Sequence, residues 1–370
     1  MKSLNQLIIT LMACLFSIQA WAQSGKLFNT DNQLSSNLAT QVFQDKSGFI
    51  WIATRNGLNT YDGYHITVMK KDMSNFLGLK SNYINSIAQD DKGHILLGTN
   101  NSLLEFTGSE FHKIPMLDSK GEELATYVKQ VYPLKNKDVA VATSGYGIMI
   151  KKKDAQECHA MKGEVEKLKY IHKLLEDKRG RLWIITEDGK LYRKETNGRV
   201  TSHFVGTEGV DAQDIQQDVL GNLYLASKNQ GVHLLRAGSN VFTRISSIGN
   251  LPIETIYISR NNKLYIGCDG LGIYVYDPQT GFLQDNPLFS RLVNLAKSKV
   301  TSIIEDNQGN IWVSMLQKGV FMQSNIQNDF NYMGFRLGSR NVIGENCVTS
   351  LSINQGNQVW VGTDKDGLYL

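Results

Sequence analysis

Proline is scarce in this chain, 5 among 370 residues, and cysteine is scarcer, at 4. So few prolines exclude a polyproline or collagen-like body. Four cysteines, one of them inside an N-terminal apolar run, cannot make the dense cross-links of a small secreted scaffold. No later apolar run reaches the length of a membrane-spanning helix. Neither sign of charge dominates: 39 Lys and Arg face 35 Asp and Glu, for a net charge of +4. The one mild basic cluster, Lys151, Lys152 and Lys153, reads as a solvated loop, so nucleic-acid binding is not expected. What the chain does have is 41% apolar residues, enough for a large core, and 33 glycines, which suit many tight turns.

Lys2 precedes an apolar stretch from Leu7 to Ile18, and Ala20-Trp21-Ala22 supplies a small-residue cleavage site. Residues 1–22 are therefore expected to be a signal peptide, with the remainder exported to the periplasm. A lipoprotein reading of Leu11-Met12-Ala13-Cys14 is weaker, because apolar residues continue past Cys14 and few precede it. Cleavage after Ala22 leaves Cys158, Cys268 and Cys347, three well-separated thiols and no disulfide framework.

The strongest feature is a motif that returns every 41 to 48 residues. Its clearest copy runs from Asp45 through Gly48, Trp51, Thr54 and Gly57 to Tyr61. The tryptophan position recurs as Trp51, Leu96, Ala140, Trp183, Tyr224, Tyr265, Trp312 and Trp360. Self-similarity at a near-fixed period points to a repeat architecture. Within the first copy, Thr40 to Gln44 alternates as a strand, Asp45 to Gly48 turns, and Phe49 to Thr54 is a second strand. Leu58 to Tyr61 and His65 to Met69 follow as a third and fourth. Four short antiparallel strands in about 45 residues make one propeller blade.

The expected fold is therefore all-β, a propeller of four-stranded antiparallel blades. Seven blades are preferred over eight, within residues 23–335. Residues 336–370 are expected to be an incomplete blade, the start of a second propeller. The segment Gly25 to Asn29 is placed to donate a closing strand to the last blade of the ring. Substitutions between copies follow the turn chemistry: the turn glycine becomes Asn262 and Asn357, and Asn tolerates a left-handed backbone. The third copy is degenerate, with Leu134, Lys137 and Ala140 at the aspartate, glycine and tryptophan positions. Lys162 to Lys167 reads as an insertion of one helical turn, followed by a strand over Tyr170 to Leu175. Trp51, Trp183, Tyr224, Tyr265, Trp312 and Trp360 are assigned to packing between blades, since a residue repeated at one position serves the scaffold.

The run Gln44-Asp45-Lys46-Ser47-Gly48-Phe49-Ile50-Trp51-Ile52-Ala53-Thr54 and its continuation through Gly57-Leu58 to Tyr61-Asp62 resembles the two-component-regulator propeller repeat. The resemblance extends over nearly all of the chain after the leader. It implies the periplasmic sensor region of a hybrid two-component system that detects breakdown products of complex polysaccharides. It also implies an oligosaccharide ligand and homodimer contacts through the sensor region. Relatives of this kind carry kinase, receiver and DNA-binding parts, and this chain has none of those segments. It is expected to be a sensor fragment or truncated product.

Catalytic patterns are lacking. The seven histidines include no H-x-H or H-x-x-x-H pair, and there is no G-x-S-x-G, S-x-x-K or Walker loop. Cys158-His159 has no partners at ligand spacing. No catalytic residue, metal or cofactor is expected. Glu187, Asp188 and Asp269 do not stand out from the turn background as a carboxylate pair. Two other readings stay open: a free-standing propeller serving as a protein-interaction scaffold, and a propeller polysaccharide lyase or glycosidase. Recognition is expected at the turns joining second and third strands, which vary between copies. The candidate ligand-binding residues there are Arg55, Asn56, Asn100, Tyr146, Glu187, Lys228, Asp269 and Gln317.

Overall fold

The computed structural model describes residues 25–71, 78–288, 293–325, 343, 347–354, 356 and 358–370. The leader with Trp21, and the turn residue Asn357, lie outside the described residues. The chain divides into two compact units, Met1–Ile326 and Gln327–Leu370.

The first unit holds seven sheets, and each repeats one plan. Blade 1 is typical. Its strands Ala39–Gln44, Ile50–Thr54, Gly57–Tyr61 and Ile66–Met69 pair in sequence order, all antiparallel. Blades 2 to 6 begin with the strands Ile84–Gln89, Val128–Pro133, Ile171–Glu176, Ala212–Gln217 and Ile253–Ile258. Blade 7 begins at Val300–Glu305, and its outermost strand is Gly25–Phe28 from the start of the chain, antiparallel to Gly319–Gln323. First strands of successive blades lie side by side, and that of blade 7 lies beside that of blade 1. The order closes on itself, consistent with seven blades.

One departure from the four-strand plan occurs in blade 3. Met116–Leu117, leading out of blade 2, pairs in parallel with Cys158–Ala160 and makes a fifth strand. The expected insertion is a short 3-10 turn at Glu164–Lys167, followed by the strand Ile171–Glu176.

Core packing explains the repeated indole. Trp51 packs among Ile84, Ile87, Ile95 and Leu97 of blade 2. Trp183 packs among Ile215, Leu223 and Leu225 of blade 5, and Trp312 among Val42, Ile50 and Ile52 of blade 1. Within the ring each residue at this position thus lies in the seam to the following blade, whereas Trp360 of the second unit is 37% exposed. A buried ring of this kind removes on the order of 150–250 Å² from water. Ala140 leaves its seam short of volume. Val165 from the inserted turn joins the cluster of this seam, with Leu168, Met161 and Tyr192 packed against it.

The aspartate turn anchors the same indole. Asp45 Oδ1 accepts the N–H groups of Ser47 and Phe49, while Oδ2 accepts Trp51 Nε1 at 2.8 Å. Asp177 and Asp306 do the same for Trp183 at 2.9 Å and Trp312 at 2.7 Å. Lys137 and Asn262 stand where other copies have glycine, and both adopt the left-handed backbone, φ 71° and 60°. The residue before the aspartate ties neighbouring blades together. Gln44 Oε1 accepts from Asn307 N of blade 7, Gln89 Oε1 from Lys46 N of blade 1, and Gln217 Oε1 from Lys178 N of blade 4.

The second unit contains one sheet of three strands, Val348–Ile353, Val359–Thr363 and Leu368–Tyr369. It repeats the blade register, including the irregularity in its first strand. Leu351, at the register of buried Val42 and Ile87, is 67% exposed, and Ile353, at that of half-buried Gln44 and Gln89, is 69% exposed.

Candidate functional site

Each first strand in the ring carries a bulge at the same place. One extra residue opposes the second strand: Thr40, Asn85, Lys129, His172, Gln213, Glu254 and Thr301 in turn. Several of these side chains reach across a seam. Thr40 Oγ1 donates to Ile84 O at 2.6 Å, Asn85 Nδ2 to Val128 O at 3.0 Å, and Thr301 Oγ1 to Ala39 O at 2.9 Å.

The residue just before each first strand lies against the turn between second and third strands of its own blade. Arg55 N donates to Leu38 O, Ser144 N to Tyr127 O, Glu187 N to Tyr170 O, and Lys228 N to Asp211 O. The variable turns and the approach loops therefore share one face, and together they form a rim. In blades 2, 3 and 4 the rim residue before the first strand is Tyr83, Tyr127 and Tyr170. Three tyrosines at one equivalent position in successive blades form an aromatic arc.

The arc is organised by polar neighbours. The rings of Tyr83 and Tyr127 meet edge to face with centroids 6.0 Å apart. The Arg55 guanidinium lies 5.4 Å from the Tyr83 centroid, and Lys129 Nζ lies 4.6 Å from that of Tyr127. Tyr127 donates its hydroxyl to Asn85 Oδ1 at 2.8 Å. Lys129 pairs with Glu187 at 3.5 Å. Burial, and then the neighbouring Tyr83 hydroxyl, raise the Tyr127 phenol above its ordinary range, so it stays a neutral donor. His172 is pushed down to about 4, first by burial and then by the charges of Lys173, Lys129 and Lys228, against the opposing charge of Asp214. It is neutral at physiological pH. Beside the arc opens a cleft of about 450 Å³ lined by Lys169, Tyr170, Glu187, Asp188 and Tyr192. Tyr170 is 57% exposed there.

The candidate residues are distributed unevenly around this rim. Arg55 and Glu187 join the tyrosine arc, and Lys228 acts electrostatically on it through His172. Asp269 belongs to a separate cluster: Lys299 Nζ donates to it at 2.8 Å and to Glu254 at 2.7 Å. Asn100 accepts from Ser81 Oγ at 2.9 Å. Asn56, Tyr146 and Gln317 are exposed turn residues that join neither group. The register equivalents of Tyr146 and Gln317 are Ser144 and Leu316, whose N–H groups make the rim bond. Tyr83, Tyr127, Tyr170, Lys129 and Lys299 escape sequence reading because they lie before or within the first strand. Their constant spacing, 13 residues before the tryptophan position for the tyrosines and Lys299 and 11 for Lys129, was the available signal.

On the opposite face, ligand atoms of Asp90, His94 and Glu105 lie within 4.8 Å of one another. This is the copy with Leu96 in place of tryptophan. His94 stands where Arg181 and Asn310 bond the turn aspartate in other copies, and buried Lys151 lies 3.9 Å from Glu105. The group substitutes for the missing indole contact. Cys158 is buried and its thiol is pushed up to about 12, chiefly by that burial, which suits packing rather than nucleophilic attack. His159 pairs with Glu157 at 2.8 Å.

Residues 33–56, 78–101 and 294–317 match the family model described as two component regulator propeller. The chain carries the repeat of that family. Each match runs from an approach loop across the first two strands to a variable turn, so the family pattern includes the rim. No curated protein sequence matches the chain. Among solved structures, this propeller resembles the extracellular domain of BT3049 from B. thetaiotaomicron, assigned to a hybrid two component system. The TM-score is 0.72 at 20% identity, covering 94% of this chain and 53% of that one. The extracellular domain of BT4673 from the same organism gives 0.69 at 16% identity, with 91% and 46% covered. The chain thus spans about half the length of these domains. Virginiamycin B lyase from Staphylococcus aureus gives 0.64 at 13% identity over 82% of this chain and 99% of the enzyme. These likenesses establish the propeller fold, which sensor domains and enzymes share. Among the described residues, no helix is long and apolar enough to cross a membrane.

Proposed function

We propose that this propeller is the ligand-recognition part of a periplasmic sensor in a hybrid two-component system, and that its ligand is an oligosaccharide. The family repeat and the resemblance to extracellular domains of such systems support the sensor reading. The single observation that carries the ligand class is the arc of Tyr83, Tyr127 and Tyr170 beside the 450 Å³ cleft. Aromatic faces take the apolar face of a sugar ring, and the Tyr127 hydroxyl, Asn85, Glu187 and Asp188 offer partners for its hydroxyls. On this reading residues 23–335 form the recognition propeller, residues 336–370 begin another, and residues 1–22 direct export. Dimer contacts would relay occupancy.

The test is calorimetric titration of the full chain with a panel of oligosaccharides. Binding of at least one member, weakened about tenfold or more by Tyr170→Ala, is the expected result. Tyr170 is largely exposed, so its loss leaves the fold intact. Absence of binding across the panel would overturn the ligand assignment. Release of reducing ends or unsaturated products from the panel would replace it with the enzyme reading.

A further inference from the structure

We propose that the rim over blades 1 to 5 is built for an anionic saccharide, its carboxylate or sulfate lying against Arg55, Lys129 and Lys228. The inference rests on the saccharide reading above and narrows it to one charge class.

Charge pairing around the rim decides the sign. Glu187 is matched by Lys129 at 3.5 Å, Asp188 by Lys190 at 2.6 Å, and Asp214 by Lys173 at 3.1 Å. Across the ring, Glu254 and Asp269 share Lys299. Among the described residues, Arg55, Lys169 and Lys228 make no ion pair, and Glu208 and Asp211 are unpaired carboxylates of the approach loop beside Lys228. Three free cations against these two carboxylates, both confined to the blade 5 loop, leave the tyrosine arc of blades 2 to 4 positive. His172, whose pKa is lowered first by burial, also feels Lys129 and Lys228 beyond the Lys173 and Asp214 pair.

Geometry adds direction to that charge. The Arg55 guanidinium lies 5.4 Å from the Tyr83 centroid, and among the described residues its N–H groups have no hydrogen-bond partner. The guanidinium N–H edge matches two oxygens of a carboxylate or sulfate. The Lys129 ammonium sits over the next ring of the arc, so a sugar stacked on Tyr170 or Tyr127 brings its acidic substituent within reach of a cation. The bond of Lys129 to Glu187 is long enough to be shared, whereas Lys299, held by two carboxylates, is not free to act.

The experiment is calorimetric titration of the full chain with three tetrasaccharides. One is a uronic acid, one its neutral methyl ester, and one a sulfated neutral sugar. The uronate or the sulfated sugar should bind at least about tenfold tighter than the ester, and raising salt should narrow the gap. Arg55→Gln and Lys228→Gln should each weaken the anionic ligand about fivefold or more and leave the ester unchanged. Thermal melting of both variants should match the parent, as both side chains are exposed. Tighter binding by the sulfated sugar would assign sulfate, and tighter binding by the uronate would assign carboxylate. Equal affinity for acid and ester would overturn the anion preference while leaving the saccharide reading in place. Binding of none of the three, when a neutral sugar from the wider panel binds, would also overturn it.

Discussion

A single aspartate carboxylate joins turn geometry to blade packing. Asp177 lies under the edge of blade 4, and its Oδ1 fixes the turn by accepting the N–H groups of Arg179 and Arg181. Its Oδ2 takes the Trp183 indole and the Arg181 guanidinium. Burial alone raises its carboxyl pKa, but these donors and the Arg181 charge outweigh burial and hold it below the ordinary carboxylate value. The native state therefore binds this proton less readily than the unfolded chain does. The stabilisation is complete above the unfolded aspartate pKa, about 3.9, and drains away as pH falls through the lower folded value. Asp177→Asn keeps one acceptor but turns the other into a donor facing the indole N–H. That leaves the Trp183 donor unsatisfied, a loss of about 1–3 kcal/mol. Urea unfolding at pH 7 should show this loss, and the gap between variant and parent should shrink on acidification below about pH 4. A variant as stable as the parent at pH 7 would contradict the proposed linkage. The last repeat contains the same exchange naturally: Asn354 Oδ1 holds its turn, while Nδ2 donates to Gln358.

At the scale of an element, ring closure depends on four residues from the start of the chain. Gly25–Phe28 completes blade 7, and Phe28 is fully buried between Trp312 and Tyr61, at centroid distances of 5.3 and 4.9 Å. Gly319, at φ 81°, allows this approach, because a Cβ there would sit 2.1 Å from Phe28 O. Phe28→Ala removes the ring that plugs the seam and should cost about 3–5 kcal/mol. The thermal transition should fall accordingly, and protease should first cut near the blade 7 edge. A change of under about 1 kcal/mol would show that closure does not depend on this strand. The aspartate turns, the strand order and the closing segment were legible in the sequence, because each follows from local turn chemistry and a period. The rim was only half legible. Arg55 and Glu187 fall in turns that differ visibly between copies, whereas Tyr83, Tyr127 and Tyr170 sit in approach loops of unequal length. Alignment by the tryptophan position does place the three tyrosines in one register, each 13 residues before it, but the loops that lead to them differ in length and hide the recurrence. Lys129 and His172 are displaced by a bulge, which a strict alternation of two conceals. Val165 shows the same limit: its spacing revealed a helical turn, and only the packing revealed that the turn joins the seam that contains Ala140.

For the molecule as a whole, the two units differ in what they satisfy internally. The ring buries an apolar cluster at every seam, and its sheet order returns to blade 1. The sheet of residues 348–369 repeats a blade's strands without burying a blade's faces: Leu351, Ile353 and Leu368 are each more than 60% exposed, and Trp360 is 37% exposed. Each large apolar side chain left in water forgoes roughly 1.5–3 kcal/mol of burial, so this sheet gains by covering its faces. A chain ended after residue 335 should therefore keep the thermal transition of the ring to within about 1 kcal/mol. It should also self-associate less than the longer chain when both are followed by light scattering across a concentration series. The substitutions Leu351→Ser and Ile353→Ser in the longer chain should have the same effect on association, because they remove exposed apolar surface from the second unit. Loss of the ring's transition on truncation would mean that the boundary lies elsewhere. An unchanged association state in both variants would mean that the exposed sheet contributes no contacts between molecules.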